Sequence, residues 1–228
     1  MALTARDAAA LLNTSERQVY RWVDDGEIPH QRVNDQIRFN RTELLEWAAS
    51  RRIEISLGRF DVGEDEPGPS LAAALRRGGV HRDFSGADRE AVLRNVLELT
   101  QLPPNADREL IAETLLAREK SASTAIGEGV AVPHVRHPVV APGEPCSVGV
   151  FYLSEPVPFG APDGKPVRTV FMIVSPTVNA HLQIFARLAH ALQDRGFAAA
   201  IERRVGDEEL QTEAARIDTA AAVGESAR

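Results

Sequence analysis

Cysteine occurs once in the 228 residues, at Cys146. A lone thiol excludes an intramolecular disulfide and a cysteine-based zinc site, and its natural setting is a reducing compartment. Long apolar runs are missing too: none approaches the roughly 18–20 residues that span a bilayer. The start, Met1 to Asp7, lacks the basic region and apolar core of a secretion signal. A cytoplasmic protein with no membrane insertion is expected. Excess positive charge is the third absence. The formal net charge of −7 argues against non-specific coating of nucleic acid, so any DNA contact must be local. What is present, 43% hydrophobic and 26% charged residues, excludes a wholly disordered or collagen-like chain.

The length predicts one large or two small domains. Composition changes sharply at residues 54–70, where Gly58, Gly63, Asp61, Glu64, Asp65, Glu66, Pro67, Gly68 and Pro69 crowd together as in a linker. We therefore expect a first unit at 1–52 and a linker at 53–82. Within the linker, Leu71 to Leu75 form a short connecting helix opened by Ser70 and closed by Gly78-Gly79. A second unit follows at 83–204. The tail, 205–228, is polar and alanine-rich and is expected to fray or to end in a marginal helix.

In the first unit, residues 4–12 and 15–23 form two helices broken at Asn13-Thr14, the spacing of a helix-turn-helix. Val19, Trp22 and Val23 share a buried stripe on the second helix. Ser15, Arg17, Gln18 and Arg21 are left outward, where they reach phosphates and base edges. A hairpin about Asn34-Asp35 would be a wing carrying Arg32 and Arg38, and a third helix runs from Thr42 to Ala49. With Gly26-Glu27-Ile28-Pro29 and Ile37-Arg38-Phe39, this order resembles the winged helix-turn-helix domains of the excisionase and MerR-like group. That resemblance implies DNA binding; a protein-docking module is the alternative. Residues 1–52 hold eight basic and eight acidic residues, so one copy should bind weakly, and a homodimer or two adjacent copies are expected on DNA.

In the second unit, Ala91 to Leu99 and Leu110 to Leu116 are apolar at helical spacing, the latter behind Asp107. Strand-like runs follow at 124–126, 129–132, 147–153 and 167–174, with a long helix at 180–194 and Gly196 past its end. The expected fold class is multidomain: a small α-helical winged helix-turn-helix domain plus an α/β domain whose mixed sheet is flanked by helices.

Three ordered stretches stand out: residues 118–136, including Pro133-His134; Asp163-Gly164-Lys165-Pro166-Val167; and Val170 to Pro176 followed by Ala180-His181-Leu182. Together they resemble the IIA domains of the bacterial phosphoenolpyruvate-dependent phosphotransferase system (PTS), of the fructose/mannitol and nitrogen-regulatory type. The resemblance implies that His134 accepts a phosphoryl group from a phosphocarrier protein, that His181 sits beside it, and that Arg118 is an active-site arginine. Arg136, Ser123 and Thr124 are further candidates for stabilising the phosphate. Ser123 and Thr124 serve equally well as turn caps. The sequence departs from the family pattern at Val135 and in the long loop from Val139 to Pro145.

The chemistry is coherent without the family. A neutral imidazole is a nucleophile near neutral pH, provided the added charge is held and water is excluded. His181, in the first turn of a helix, would meet free N–H groups and the positive end of the helix dipole. Arg118 would offer a forked donor. His190 is turned about 100° per residue away from His181 over nine positions and is excluded. His30 and His81 are expected at the surface. His134 and His137 are too close for the usual zinc pair, so no metal is expected. No cofactor is needed, since the phosphoryl group would be carried covalently on His134. The combined expectation is a transcriptional regulator with a phosphoryl-transfer domain whose partners are DNA, the phosphocarrier protein and a IIB-like component. Two alternatives stay open: a phosphocarrier serving a sugar permease, and a regulator whose second domain is an unphosphorylated interaction platform.

Overall fold

Helix starts in the first unit coincide with short polar side chains that take up backbone N–H groups left open by the first turn. The computed structural model describes residues 2–56, 68–104, 106–135 and 144–226, with 221–226 as backbone. Helix α1 (Ala5–Leu11) opens with a reciprocal capping box between Thr4 and Asp7. Ser15 Oγ accepts from Gln18 N at 3.2 Å to begin α2 (Glu16–Asp24). Asn40 accepts from Thr42 N and Glu43 N to begin α3 (Arg41–Ser50). Between α2 and α3, β1 (Gln31–Val33) and β2 (Gln36–Arg38) pair antiparallel. Asn34 and Asp35 both have positive φ, as a two-residue hairpin turn requires. Ala8, Val19, Phe39, Leu44 and Ala48 form a core with no exposed surface. This is the small helical unit with a two-stranded wing that the sequence predicts.

The connecting helix α4 (Leu71–Gly78) starts at Ser70 as expected. It lies so close to the sheet that a β-carbon at Gly78 would collide with the Val148 backbone, and Gly79, at φ 70°, ends it. Next come β3 (Val80–Phe84), α5 (Arg89–Leu99), α6 (Arg108–Ser121), β4 (Ala125–Gly127), β5 (Val130–Ala131), β6 (Ser147–Val157) and β7 (Val167–Val174). Then follow α7 (Val178–Ala191), α8 (Arg195–Glu202) and α9 (Asp207–Ser226). Among the described residues one sheet has five strands in the order β3-β6-β7-β5-β4. β3 and β5 run parallel to their inner neighbours, and β6–β7 and β4–β5 are antiparallel.

Alternation along β6 and β7 divides the interior. Phe151, Leu153, Val170 and Met172 face α5 and α6. Val148, Val150, Tyr152, Phe171 and Ile173 face the other layer, in which Leu71, Leu75, Phe185, Leu188, Leu210 and Ile217 are buried. The helix-turn-helix core runs into this second layer without a break. Helix α3 packs on α7 and β4, and none of its ten residues is fully exposed. At the margin of this contact, Arg52 pairs with Glu128 at 3.5 Å and Gln193 Nε2 donates to Ile53 O.

Several local readings change. The long helix runs 178–191 instead of 180–194, and Gly196 lies inside α8, which Asp194 caps. Strand β3 leaves no sequence signal because His81, Arg82 and Asp83 interrupt its apolar alternation. The stretch expected to fray or to end in a marginal helix holds a helix of 20 residues. Leu210, Ala214 and Ile217 recur at helical spacing and are buried. Asp218 reaches back to the start of α4, where it accepts from Ser70 Oγ at 2.8 Å, Leu71 N at 3.2 Å and Ala72 N at 3.1 Å. No helix among the described residues is long and apolar enough to cross a membrane.

Candidate functional site

Residue 134 is positioned by the sheet. After β5 the chain continues through Val132 and Pro133, and His134 forms a parallel bridge to Ile173 of β7. The residue is 1% exposed. Nδ1 lies 2.8 Å from the carbonyl oxygen of Val132. A carbonyl can only accept, so Nδ1 carries the hydrogen and Nε2 points into the site. Phe185 of α7 presents its ring edge-on to His134 at 5.3 Å between centroids.

His181 meets His134 at 4.9 Å between ring centroids. It is buried, and its Nδ1 has no hydrogen-bond partner. Burial foremost, and the neighbouring His134 second, push its pKa down to about 3, against an opposing pull from Glu46. His181 is therefore a neutral imidazole near neutral pH. Two of the amides at this helix start are already taken. The His181 amide donates to Thr177 O at 2.9 Å and the Ala180 amide to Thr177 Oγ1 at 3.0 Å, so His181 offers its side chain.

Arg118 ends α6. Its NH1 donates to Ala122 O at 2.7 Å, and its buried Nε has no partner. Ser123 donates to Phe159 O, and the Thr124 hydroxyl donates to the buried carboxylate of Glu119 at 2.6 Å. Both hydroxyl protons are spent on loop structure, so contact with a phosphate would require those bonds to be exchanged. Arg136 and His137 lie outside the described residues, as does most of the loop from Val139 to Pro145.

One residue that no motif singles out is central. Glu46, on α3 of the helix-turn-helix unit, places Oε1 2.9 Å from His134 Nε2 and Oε2 2.5 Å from Arg118 NH2. Residues 46 and 134 are 88 positions apart, and a single acidic residue in an amphipathic helix carries no signal of such a pairing. Both nitrogens of His134 now face oxygen acceptors, so this contact needs one proton more than a neutral imidazole and a carboxylate hold together. Beside it lies a cavity of about 470 Å³, bounded by Trp47 and Ser50 from α3 and by Ser123, Ile126, Gly160 and Pro162 from the sheet unit.

Of the residues expected to read DNA, Arg17, Gln18 and Arg21 are on α2 behind Ser15 at its start, and Arg32 and Arg38 are on the two wing strands. Ser15, Arg17, Arg21 and Arg32 are exposed, while Gln18 and Arg38 are half-buried. Ser15 also caps α2, and Arg38 donates to Ile37 O and to the Gln36 side chain. Of the remaining histidines, His81 is half-buried and stacks on Phe151 at 4.5 Å. His30 is half-buried with Nδ1 on Ile28 O, and His190 is half-buried in the last turn of α7. Among the described residues no group of three or more His, Cys, Asp or Glu side chains could hold a metal ion.

Comparison with known proteins matches residues 74–213 to the family described as "Phosphoenolpyruvate-dependent sugar phosphotransferase system, EIIA 2" and residues 2–52 to "Helix-turn-helix domain". A nitrogen regulatory protein of Pseudomonas aeruginosa is 36% identical over 113 residues, covering 48% of this chain and 71% of that protein. One from Escherichia coli K12 is 31% identical over 143 residues, covering 61% and 86%. The crystal structure of nitrogen regulatory protein IIA-Ntr from Neisseria meningitidis superposes with a TM-score of 0.52 at 26% identity, over 61% of this chain and 94% of that one. With more than half its length matched and the five-stranded mixed sheet in place, the chain belongs to the EIIA 2 family of the phosphoenolpyruvate-dependent sugar phosphotransferase system and carries a helix-turn-helix domain in front of it.

Proposed function

We propose that this protein is a DNA-binding transcriptional regulator whose IIA domain takes a phosphoryl group on His134 Nε2. The observation that carries the reading is the anchored ring: Val132 O holds the hydrogen on Nδ1, leaving the other nitrogen to act as nucleophile beside His181 and Arg118. In the transfer, Nε2 attacks phosphorus on the phosphohistidine of a phosphocarrier protein. The N–P bond to the donor breaks, its electron pair stays on the donor ring, and a new N–P bond forms on His134. Arg118 faces the added charge with a planar fork of donors, and neutral His181 donates a hydrogen bond without competing for the phosphoryl group. Ser15, Arg17, Gln18 and Arg21, with Arg32 and Arg38 on the wing, read DNA, in two copies because one carries no net basic excess.

A second reading, in which the IIA domain is an unphosphorylated docking platform, draws on the occupation of Nε2 by Glu46. One experiment separates the two. The full chain and His134→Ala are incubated with phosphoenolpyruvate and the general phosphotransferase components, and acid-labile phosphate is measured alongside binding to a genomic DNA library. Label on the wild type alone, with altered DNA binding, supports the regulator. An unlabelled wild type leaves the platform.

A further inference from the structure

We infer that Glu46 is an internal stand-in for the phosphoryl group, so that docking of the helix-turn-helix unit on the IIA site and phosphorylation of His134 exclude each other. This rests on His134 being the phosphoacceptor. The Glu46 carboxylate holds the two groups that a phosphoryl group on Nε2 would need: Nε2 of His134 and the terminal donor of Arg118. Both contacts are shielded, with the side chains of His134, Arg118 and Glu46 exposed by 2%, 9% and 16%. A carboxylate and a phosphoryl group each present anionic oxygens to a guanidinium, which is why one can occupy the place of the other.

Exclusion follows from three independent consequences of phosphorylation. A phosphorus atom bonded to Nε2 fills the space of Glu46 Oε1. It also takes the position of the proton that a hydrogen bond between Nε2 and Glu46 needs. Two anions would then share one arginine in a shielded site, where like charges repel strongly. Conversely, a donor protein cannot bring its phosphohistidine to Nε2 while α3 lies across the opening, because Trp47 and Ser50 of the same helix wall the adjoining cavity. The phosphorylation-competent state is therefore the undocked one, and the observed labelling rate is reduced by the fraction of time that state is populated.

The recognition surface is not what docking hides. Arg17 and Arg21 on α2 and Arg32 on the wing are exposed with α3 in place. Phosphorylation consequently acts on where the DNA reader is held, fixed on the IIA domain or tethered, and linkage makes the effect reciprocal: DNA that favours one arrangement shifts phosphorylation in the same sense.

The test uses Glu46→Gln and Arg52→Glu in the full chain. The first keeps the shape and removes the charge. The second sets a like charge against Glu128 at the margin of the same interface, away from His134. Phosphoenolpyruvate-driven labelling is followed with time, and small-angle scattering gives the radius of gyration of each unlabelled form. Both variants should label faster than wild type, Glu46→Gln by about tenfold, and should scatter as more extended particles. Labelled wild type should match them. Equal labelling rates and equal radii for wild type and both variants would overturn the latch while leaving His134 as phosphoacceptor. Unequal radii with no label on any form would instead remove the phosphoacceptor reading and the gate with it. Should Glu46→Gln fold poorly, Arg52→Glu alone decides between these outcomes.

Discussion

The imidazoles of His134 and His181 meet at 4.9 Å between centroids, yet only the former has its Nδ1 anchored, on Val132 O, while the Nδ1 of His181 is buried without a partner. The asymmetry assigns them different work: one ring has a fixed tautomer and a directed lone pair, and the other stays neutral and keeps a donor to spare.

That neutrality has a cost at low pH. The pKa of His181 is pushed down to about 3 from an ordinary 6.5. Below pH 6.5 the unfolded chain takes up a proton that the folded chain refuses, so this residue lowers stability as pH falls from about 6.5 towards 3 and has no such effect above that window. His181→Gln should flatten the fall. Urea midpoints of wild type and variant at pH 7.5 and pH 5 measure it, and an unchanged difference between the two pH values would contradict the buried neutral ring.

Arg118→Lys keeps the charge but loses the planar fork, so we expect labelling of His134 to slow by about tenfold or more. Initial rates at saturating donor measure this. A lysine variant as fast as wild type would make Arg118 a bystander.

Arg17→Ala and Arg21→Ala should each weaken DNA binding across sequences, with the salt slope reduced by roughly one for each phosphate no longer neutralised. Titrations at several salt concentrations give the slope. Wild-type affinity and slope in both variants would move the DNA interface away from the exposed face of α2.

Asp218 takes up three donors at the start of α4 and lies 3.5 Å from Arg187. Its replacement by alanine should cost about 1–3 kcal/mol, and Ser70→Ala about 1 kcal/mol. The double variant should lose less than the sum, since both residues serve one helix end. Urea unfolding of the four forms provides the cycle; strict additivity would mean that the two caps act separately.

Cys146 is buried, and that burial raises its thiol to about 11. In the folded protein it should resist a thiol-reactive dye at pH 8 and react fully in urea. Rapid labelling of the native form would mean that the segment leading into β6 opens readily.

Local order wrote much of this protein into its sequence. Thr4, Ser15, Ser70 and Asp107 start helices because a short polar side chain satisfies backbone donors a few residues ahead. The apolar spacing of α5 and α6 and the runs in β6 and β7 disclose a mixed α/β unit. His134 and His181 stand out through the stretches around them. Glu46 does not, since its role exists only where α3 of one unit meets the end of β5 in the other, and sequence patterns report neighbours within about one helical turn or one strand pair. Helix α9 is hard to read for a related reason: Leu210, Ala214, Ile217 and Asp218 are a sparse signal until α4 and α7 supply the surfaces that bury three of them and the backbone donors that the fourth accepts from. Composition and spacing decide which segments become elements, while long-range packing decides which side chains share a site.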